Sequence, residues 1–383
     1  MATPSITMIP SGYKAEKVYS VLPTNGDGDF TFARSGSATR VNESGLIETV
    51  GNNVPRLDYS NGGCPSLLLE PERRNLILNS QKISLSPVKS GNFVDNFAIS
   101  PDGTQNATKL TSTSTDPFFY QNVTFSAADY TSSLYVKGIG DSIGKEFGFS
   151  IKGITHSSNK YIIPSEWKRF DFTATVTSGS GSIGLELPDP SVIGDEVLVW
   201  GWQLEQGSYA TSYIPTSGSA VTRSAESANG SGDASTFNSE QGVLYFEGSS
   251  IANDGTFKRI SIGTSDDLFA NSIQLKYNVV DNSITYQFRV GNVYQADLTI
   301  TANTTNVNKI ACVWKINRFE IWVNGLKQAE DTSGSVPSSN TFNSLFFGKS
   351  SNALVEPFKG NIKDLRVYNT ALTDLELQEL TTI

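Results

Sequence analysis

The stretch VLVWGWQLEQGSYATSYIPTSGSAVTRS, residues 197–224, decides how the chain divides. Side chains in a strand alternate between two faces. That spacing predicts Leu198, Trp200, Trp202 and Leu204 on one face, and Val197, Val199, Gly201 and Gln203 on the other. Leu-Trp-Trp-Leu is a core-facing set. The strand breaks at Gly207, and Pro215 with the Gly/Ser run behind it cannot continue a central strand. A last core strand followed by an exit marks a junction between one β-domain and the next.

The rest of the chain agrees with a β reading. Upstream, FVDNFAISPDGTQNATKLT gives a strand, a Pro-Asp-Gly turn and another strand. FFYQNVTFSAADYTSSLYVKGIG, FGFSIKGIT and KYIIPSEWKRFDFTATVT continue the series without a helix-period stretch, which favours a sandwich or jelly roll. Downstream, GVLYFEGSS, RISIGTS, SIQLKYNVV, SITYQFRVG and KIACVWKI alternate in the same way. In RFEIWVNGLKQAED, Asn324-Gly325 is a strong two-residue hairpin signal. Thr373 and Glu376 make a capping box for one short helix near the end.

Composition narrows the function classes. The 383 residues suffice for two or three domains at roughly 100–200 residues each. Only 17% of residues are charged and 33 are glycine, which suits turn-rich β folds. A net charge of −9 with no basic run argues against nucleic-acid binding, and no apolar run has the length of a bilayer span. Cys64 and Cys312 fall in separate predicted domains and read as free thiols. The single histidine, His156, sits in a polar loop-like stretch and excludes most histidine-dependent triads. No nucleotide-binding or hydrolase motif occurs, and the chain reads as a non-enzyme.

Several ordered motifs carry a family resemblance. W-G-x-Q-L-E-x-G-x-x-x-T-S-Y-I-P-T closing on V-T-R resembles a segment of tailed-bacteriophage and prophage virion proteins, where it ends a carbohydrate-binding-like jelly roll. The run Arg34 to Glu48, the V-P-R-x-D-Y element at Val54 to Tyr59 and the L-L-L-E-P element at Leu67 to Leu76 resemble the same group. The close F-x-G-x-I-x-D-L-R-V-Y-N-x-A-L-T resembles the end of concanavalin A-like, laminin-G-like sandwiches. Together these imply an all-β chain. It has an N-terminal virion-anchoring adaptor arm at 1–75, a jelly-roll β-sandwich at 76–216, a linker at 217–241 and a concanavalin A-like β-sandwich at 242–383. The resemblance implies a fibre, spike or head-decoration role in a virion made in a host cytoplasm. It also implies contacts with other virion proteins through the N-terminal region, homotrimers and attachment to host surface polysaccharide; a purely structural role, with the sandwiches binding other virion proteins, is the second reading and a glycan hydrolase the third. Two readings stand for Arg34, Arg40, Arg56 and Arg73: ion pairs within a β-poor adaptor, or a docking surface. The linker reads equally as flexible or as an ordered strap.

Sugar binding needs aromatic platforms with polar acceptors beside them. Trp322 alternates with Phe319, Ile321 and Val323 and shares a face with Glu320 and Asn324, which makes it the leading exposed aromatic. Tyr294, Trp167 and Tyr209 are the further candidates. Calcium is common in both module types the chain resembles, and Asp254, Asp266 and Asp267 lie in oxygen-rich loops able to supply ligands.

Overall fold

The computed structural model describes residues 1–85, 88–114, 117–152, 157–189, 192–264, 270–279, 282–348 and 356–383. Regular structure among them is almost entirely strand, with one α-helix at Asp374–Thr381. Contacts divide the chain into two compact units. One is built from residues 38–49 and 72–224; the other from 1–37, 50–71 and 225–383. Each is a β-sandwich, called here the first and the second.

The first sandwich is organised on strand Glu196–Gln206. The predicted alternation fails in its middle. Gly201 takes φ +69°, and register with strand Ala128–Ile139 shifts between Ser133 and Tyr135. This is a β-bulge, which adds a residue and changes the phase of everything after it. Val197, Val199, Trp202 and Leu204 therefore share the main core. Trp200 points the other way, onto Tyr213, Ala107 and Ile47. Glycine is needed at 201 because φ is left-handed and a Cβ would come 3.3 Å from the Tyr135 ring.

Eight strands run from Gln105–Thr111 to Glu196–Gln206. In sequence order they pair 1-8-3-6 in one sheet and 2-7-4-5 in the other. That is the jelly-roll order, with Asn92–Ile99 and Val88–Ser90 added at the edges. The motif after the bulge is a hydrogen-bonded clasp. Gln203 accepts from Ile214 N at 2.6 Å, and Glu205 accepts from Thr211 N at 2.9 Å. Asn75 donates to Ile214 O at 2.8 Å and accepts from Leu204 N at 3.1 Å. Tyr213 OH meets Ser80 Oγ at 2.6 Å. These polar groups are buried and satisfied, so the most recognisable stretch of the chain is architecture.

The second sandwich stacks two antiparallel sheets. One carries strands Gln241–Ser250, Asn308–Lys315, Arg318–Val323, Leu326–Asp331 and Gly360–Tyr368. The other carries Lys258–Gly263, Ser272–Tyr277, Ser283–Val290, Val293–Thr301 and Ser344–Phe346. The first 71 residues do not form an arm of their own. Ile6–Met8, Ser66–Leu69 and Leu57–Asp58 extend the first of these sheets to eight strands, while Tyr13–Lys14, Lys17–Val18 and Phe30–Ala33, joined through Ser227–Ser231, extend the other to nine. Ile6, Met8, Phe30, Phe32, Leu67 and Leu69 join the same core as Trp314 and Phe319. The region read as linker is ordered: Val221–Arg223 pairs in the first sandwich, Ser227–Ser231 pairs in the second, and Phe237 is core. Cys312 is a free thiol in that core, and Cys64 is free and exposed.

A buried ionic cluster locks these pieces. Glu226 accepts from Arg34 Nη1 at 2.7 Å, Arg56 Nε at 2.8 Å and Glu70 N at 3.0 Å. Arg56 Nη1 pairs with Glu70 at 2.8 Å. All four side chains are sealed from solvent, so the ion-pair reading holds for Arg34 and Arg56, and neither can dock a partner. Arg40 pairs with Glu48 at 2.7 Å, and Arg73 lies 4.9 Å above the Tyr209 ring.

Glu226→Ala leaves two buried guanidinium groups short of a partner and is expected to cost about 3–5 kcal/mol of stability. Chemical denaturation measures it, and a loss below about 1 kcal/mol contradicts the cluster's role.

Candidate functional site

The two outer faces of the second sandwich differ. On the eight-stranded sheet, the helix Asp374–Thr381 covers Val243, Tyr245, Ala311, Val313 and Trp322 through Leu377 and Leu380. Its capping box forms as predicted, with Thr373 Oγ1 accepting from Glu376 N. Trp322 is only 6% exposed. Its indole N–H donates to Glu320 Oε2 at 2.8 Å, and Glu320 is held by Arg318 at 2.9 Å and Lys327 at 3.1 Å. The alternation did place Trp322 and Glu320 on the outer face, but the helix closes that face. Neither is available as a sugar platform. Glu247 and Asp364 face each other on the same sheet, but Asp364 is buried and paired with Arg366.

Asn324 takes φ +51° and Gly325 φ +84°, the left-handed pair that a tight hairpin requires. Its amide is committed to Lys309 N and Asn308 Oδ1, both at 3.0 Å, and it lines an open cleft of about 340 Å³ with Leu326 and Ile383. Trp167 is half-buried and donates to Ile99 O at 3.0 Å in the first sandwich. Tyr209, in the same sandwich, lies under Arg73. Asp254 does not fit a calcium site. The buried Lys258 ammonium sits 2.6 Å from its carboxylate and also donates to Ala252 O at 3.0 Å. A built-in cation therefore takes the oxygens that a metal would need. Asp266, Asp267 and His156 lie outside the described residues.

Tyr294 belongs to the opposite, polar face. On the nine-stranded sheet, Ile260, Ile262, Ile273, Leu275, Ile284, Tyr286, Phe288 and Ala296 point into the core. The alternate residues point out and line up across the strands. Ser261, Gln274, Gln287 and Asp297 form one row; Arg259, Lys276, Thr285 and Thr299 a second; Ser272, Arg289 and Tyr294 a third. A register shift between Phe288 and Arg289 keeps both Tyr294 and Asp297 outward.

The inner positions are hydrogen-bonded to one another. Gln287 Nε2 donates to Asp297 at 3.2 Å, and Arg259 donates to Gln274, Gln287 and Glu356. Ser261 Oγ donates to Gly348 O at 2.9 Å. Gln274 and Gln287 are buried, whereas Tyr294, Asp297 and Thr299 are exposed, Tyr294 by 44%. The Arg289 guanidinium lies 4.0 Å over the Tyr294 ring and donates to its hydroxyl. The result is an aromatic platform beside a carboxylate, hydroxyls and a guanidinium, backed by fixed amides. Such a set can grip a polyhydroxylated ring. Apart from Tyr294, sequence reasoning missed this group. Its only signal was alternating polar positions in SIQLKY and SITYQFRV, which any solvent face shows.

Residues 249–378 match the concanavalin A-like lectin/glucanases superfamily. Solved structures similar to the chain include the CBM40 of a Ruminococcus gnavus IT-sialidase, at 17% identity and TM-score 0.34, covering 40% of this chain and 93% of that one. Domain 4 of a GH43 extracellular arabinanase from Geobacillus stearothermophilus, solved with arabinotriose, has 17% identity and TM-score 0.34, covering 41% and 73%. A leech intramolecular trans-sialidase has 18% identity and TM-score 0.33, covering 40% and 26%. No curated protein matches the chain in sequence. The class defined is an all-β protein with a concanavalin A-like domain.

Trp322→Ala is expected to behave as a core truncation, costing about 3–5 kcal/mol in denaturant melts. Burial works against the Glu320 carboxylate, but hydrogen bonds from Arg318, Trp322 and Lys327 outweigh it and hold its pKa below the usual carboxylate range. Stability from a depressed carboxylate is present above its unfolded value and lost as pH falls through the folded one. The melting-temperature gap between wild type and Glu320→Gln should be full near neutrality and shrink below about pH 4.

Proposed function

We propose that the protein binds glycans through the outer face of the nine-stranded sheet, and that it does so in a tailed-phage virion, attaching to host surface polysaccharide. The carrying observation is the three-row polar array ending in exposed Tyr294 and Asp297. The match of residues 249–378 to a lectin/glucanase superfamily supports the choice of sandwich. The virion setting, contacts with other virion proteins and a homotrimeric state rest on the sequence motifs alone. Because residues 1–37 and 50–71 contribute strands to the second sandwich, any virion contact through them would use strand edges and loops of that sandwich.

Tyr294→Ala and Asp297→Ala should each weaken polysaccharide binding at least tenfold, about 1.4 kcal/mol, with the melting temperature unchanged for Tyr294→Ala, whose side chain is exposed, and lowered for Asp297→Ala, which takes the acceptor from the buried Gln287 amide. Titration against bacterial surface polysaccharides measures this. Absence of saturable binding by the folded wild type would move the weight to a purely structural virion role.

A further inference from the structure

The charge on this face runs against the charge of the chain. The protein carries a net −9. Yet, among the described residues, the array presents Arg259, Lys276 and Arg289 against Glu356 and Asp297, a surplus of one positive charge. Arg259 and Lys276 are direct cross-strand partners. Like charges so placed repel, and of the two only the Arg259 member is ion-paired with the Glu356 carboxylate.

Glu356 sits on Arg259. Lys276 has no carboxylate within ion-pair distance among the described residues; its ammonium lies 5.1 Å over the Phe257 ring, with Arg259 5.7 Å over the same ring. Partial burial pushes the lysine pKa down, Arg259 and Arg289 add to that, and Asp297 and Glu356 act in the opposite direction. A half-buried ammonium with a cationic neighbour is a receptor for an anion.

We infer, on the glycan-binding reading above, that this face selects carboxylate-bearing saccharides. Lys276 meets the carboxylate, with Tyr294 and Arg289 contacting a sugar ring further along. Lys276 lies two strands from Tyr294, and its row is four register positions from the Ser272–Arg289–Tyr294 row. At about 3.3 Å per residue that is about 13 Å along the strands. The ligand is therefore an oligosaccharide segment rather than a single ring, with Asp297 in the row between and Thr299 level with Lys276 as hydroxyl partners.

The test uses the full chain and a panel of bacterial surface polysaccharides, each before and after carbodiimide–borohydride reduction of its carboxylates to alcohols. Wild type is compared with Lys276→Gln, which keeps length and removes charge, and with Tyr294→Ala, once matched melting temperatures show all three folded. The inference expects reduction to weaken wild-type binding at least tenfold. Lys276→Gln should lose as much on the native polymer and nothing further on the reduced one. Binding that survives reduction, or is indifferent to Lys276→Gln, while Tyr294→Ala abolishes it, overturns the acidic-sugar inference and leaves glycan binding standing. Failure of wild type to bind any polymer overturns both.

Discussion

Glu226 is an anion whose side chain is sealed from solvent. Its carboxylate takes a guanidinium from Arg34, another from Arg56 and the amide of Glu70, while Glu70 returns a carboxylate to Arg56. Two cations and two anions cancel inside the fold. Ions taken from water cost several kcal/mol each, and that cost is offset only when every partner is in place. The four residues are far apart in sequence and arrive on three separate passes of the chain through the second sandwich. The cluster therefore forms only when residues 1–37, 50–71 and 225–383 are all docked.

The same constraint explains why the N-terminal strands belong to this sandwich. They widen both sheets and add Ile6, Met8, Phe30, Phe32, Leu67 and Leu69 to a core shared with both. With one outer face closed by the helix, the nine-stranded sheet keeps the other. Its inner amides are hydrogen-bonded in rows, so the exposed side chains stand on a fixed base. Preorganisation of that kind lowers the ordering cost of a ligand. Asp254 shows the opposite arrangement: an oxygen-rich loop is already filled by Lys258, so its chemistry is spent on the fold.

Much of the fold was legible in the sequence. Alternation, turn residues and the capping box gave the strands, the Asn324–Gly325 hairpin and the single helix, because these follow from local geometry. The phase of the central strand was not legible. A left-handed Gly201 leaves the residue string unchanged yet sends Trp200 and Trp202 to opposite faces. The site was less legible still. Alternation correctly separated Trp322 from Phe319 and Ile321, but it describes one strand and cannot see a helix arriving from residues 374–381.

By itself the sequence determined an all-β chain of two sandwiches and most strands within them, since each depends on side-chain period and turn chemistry over a few residues. Only the tertiary structure decided that residues 1–37 and 50–71 complete the second sandwich while 38–49 join the first, which outer face is closed and which side chains remain open to a ligand. Those outcomes depend on strand order and on charges meeting across more than 150 positions of chain, as Arg56 and Glu226 do, and no local pattern encodes such a meeting.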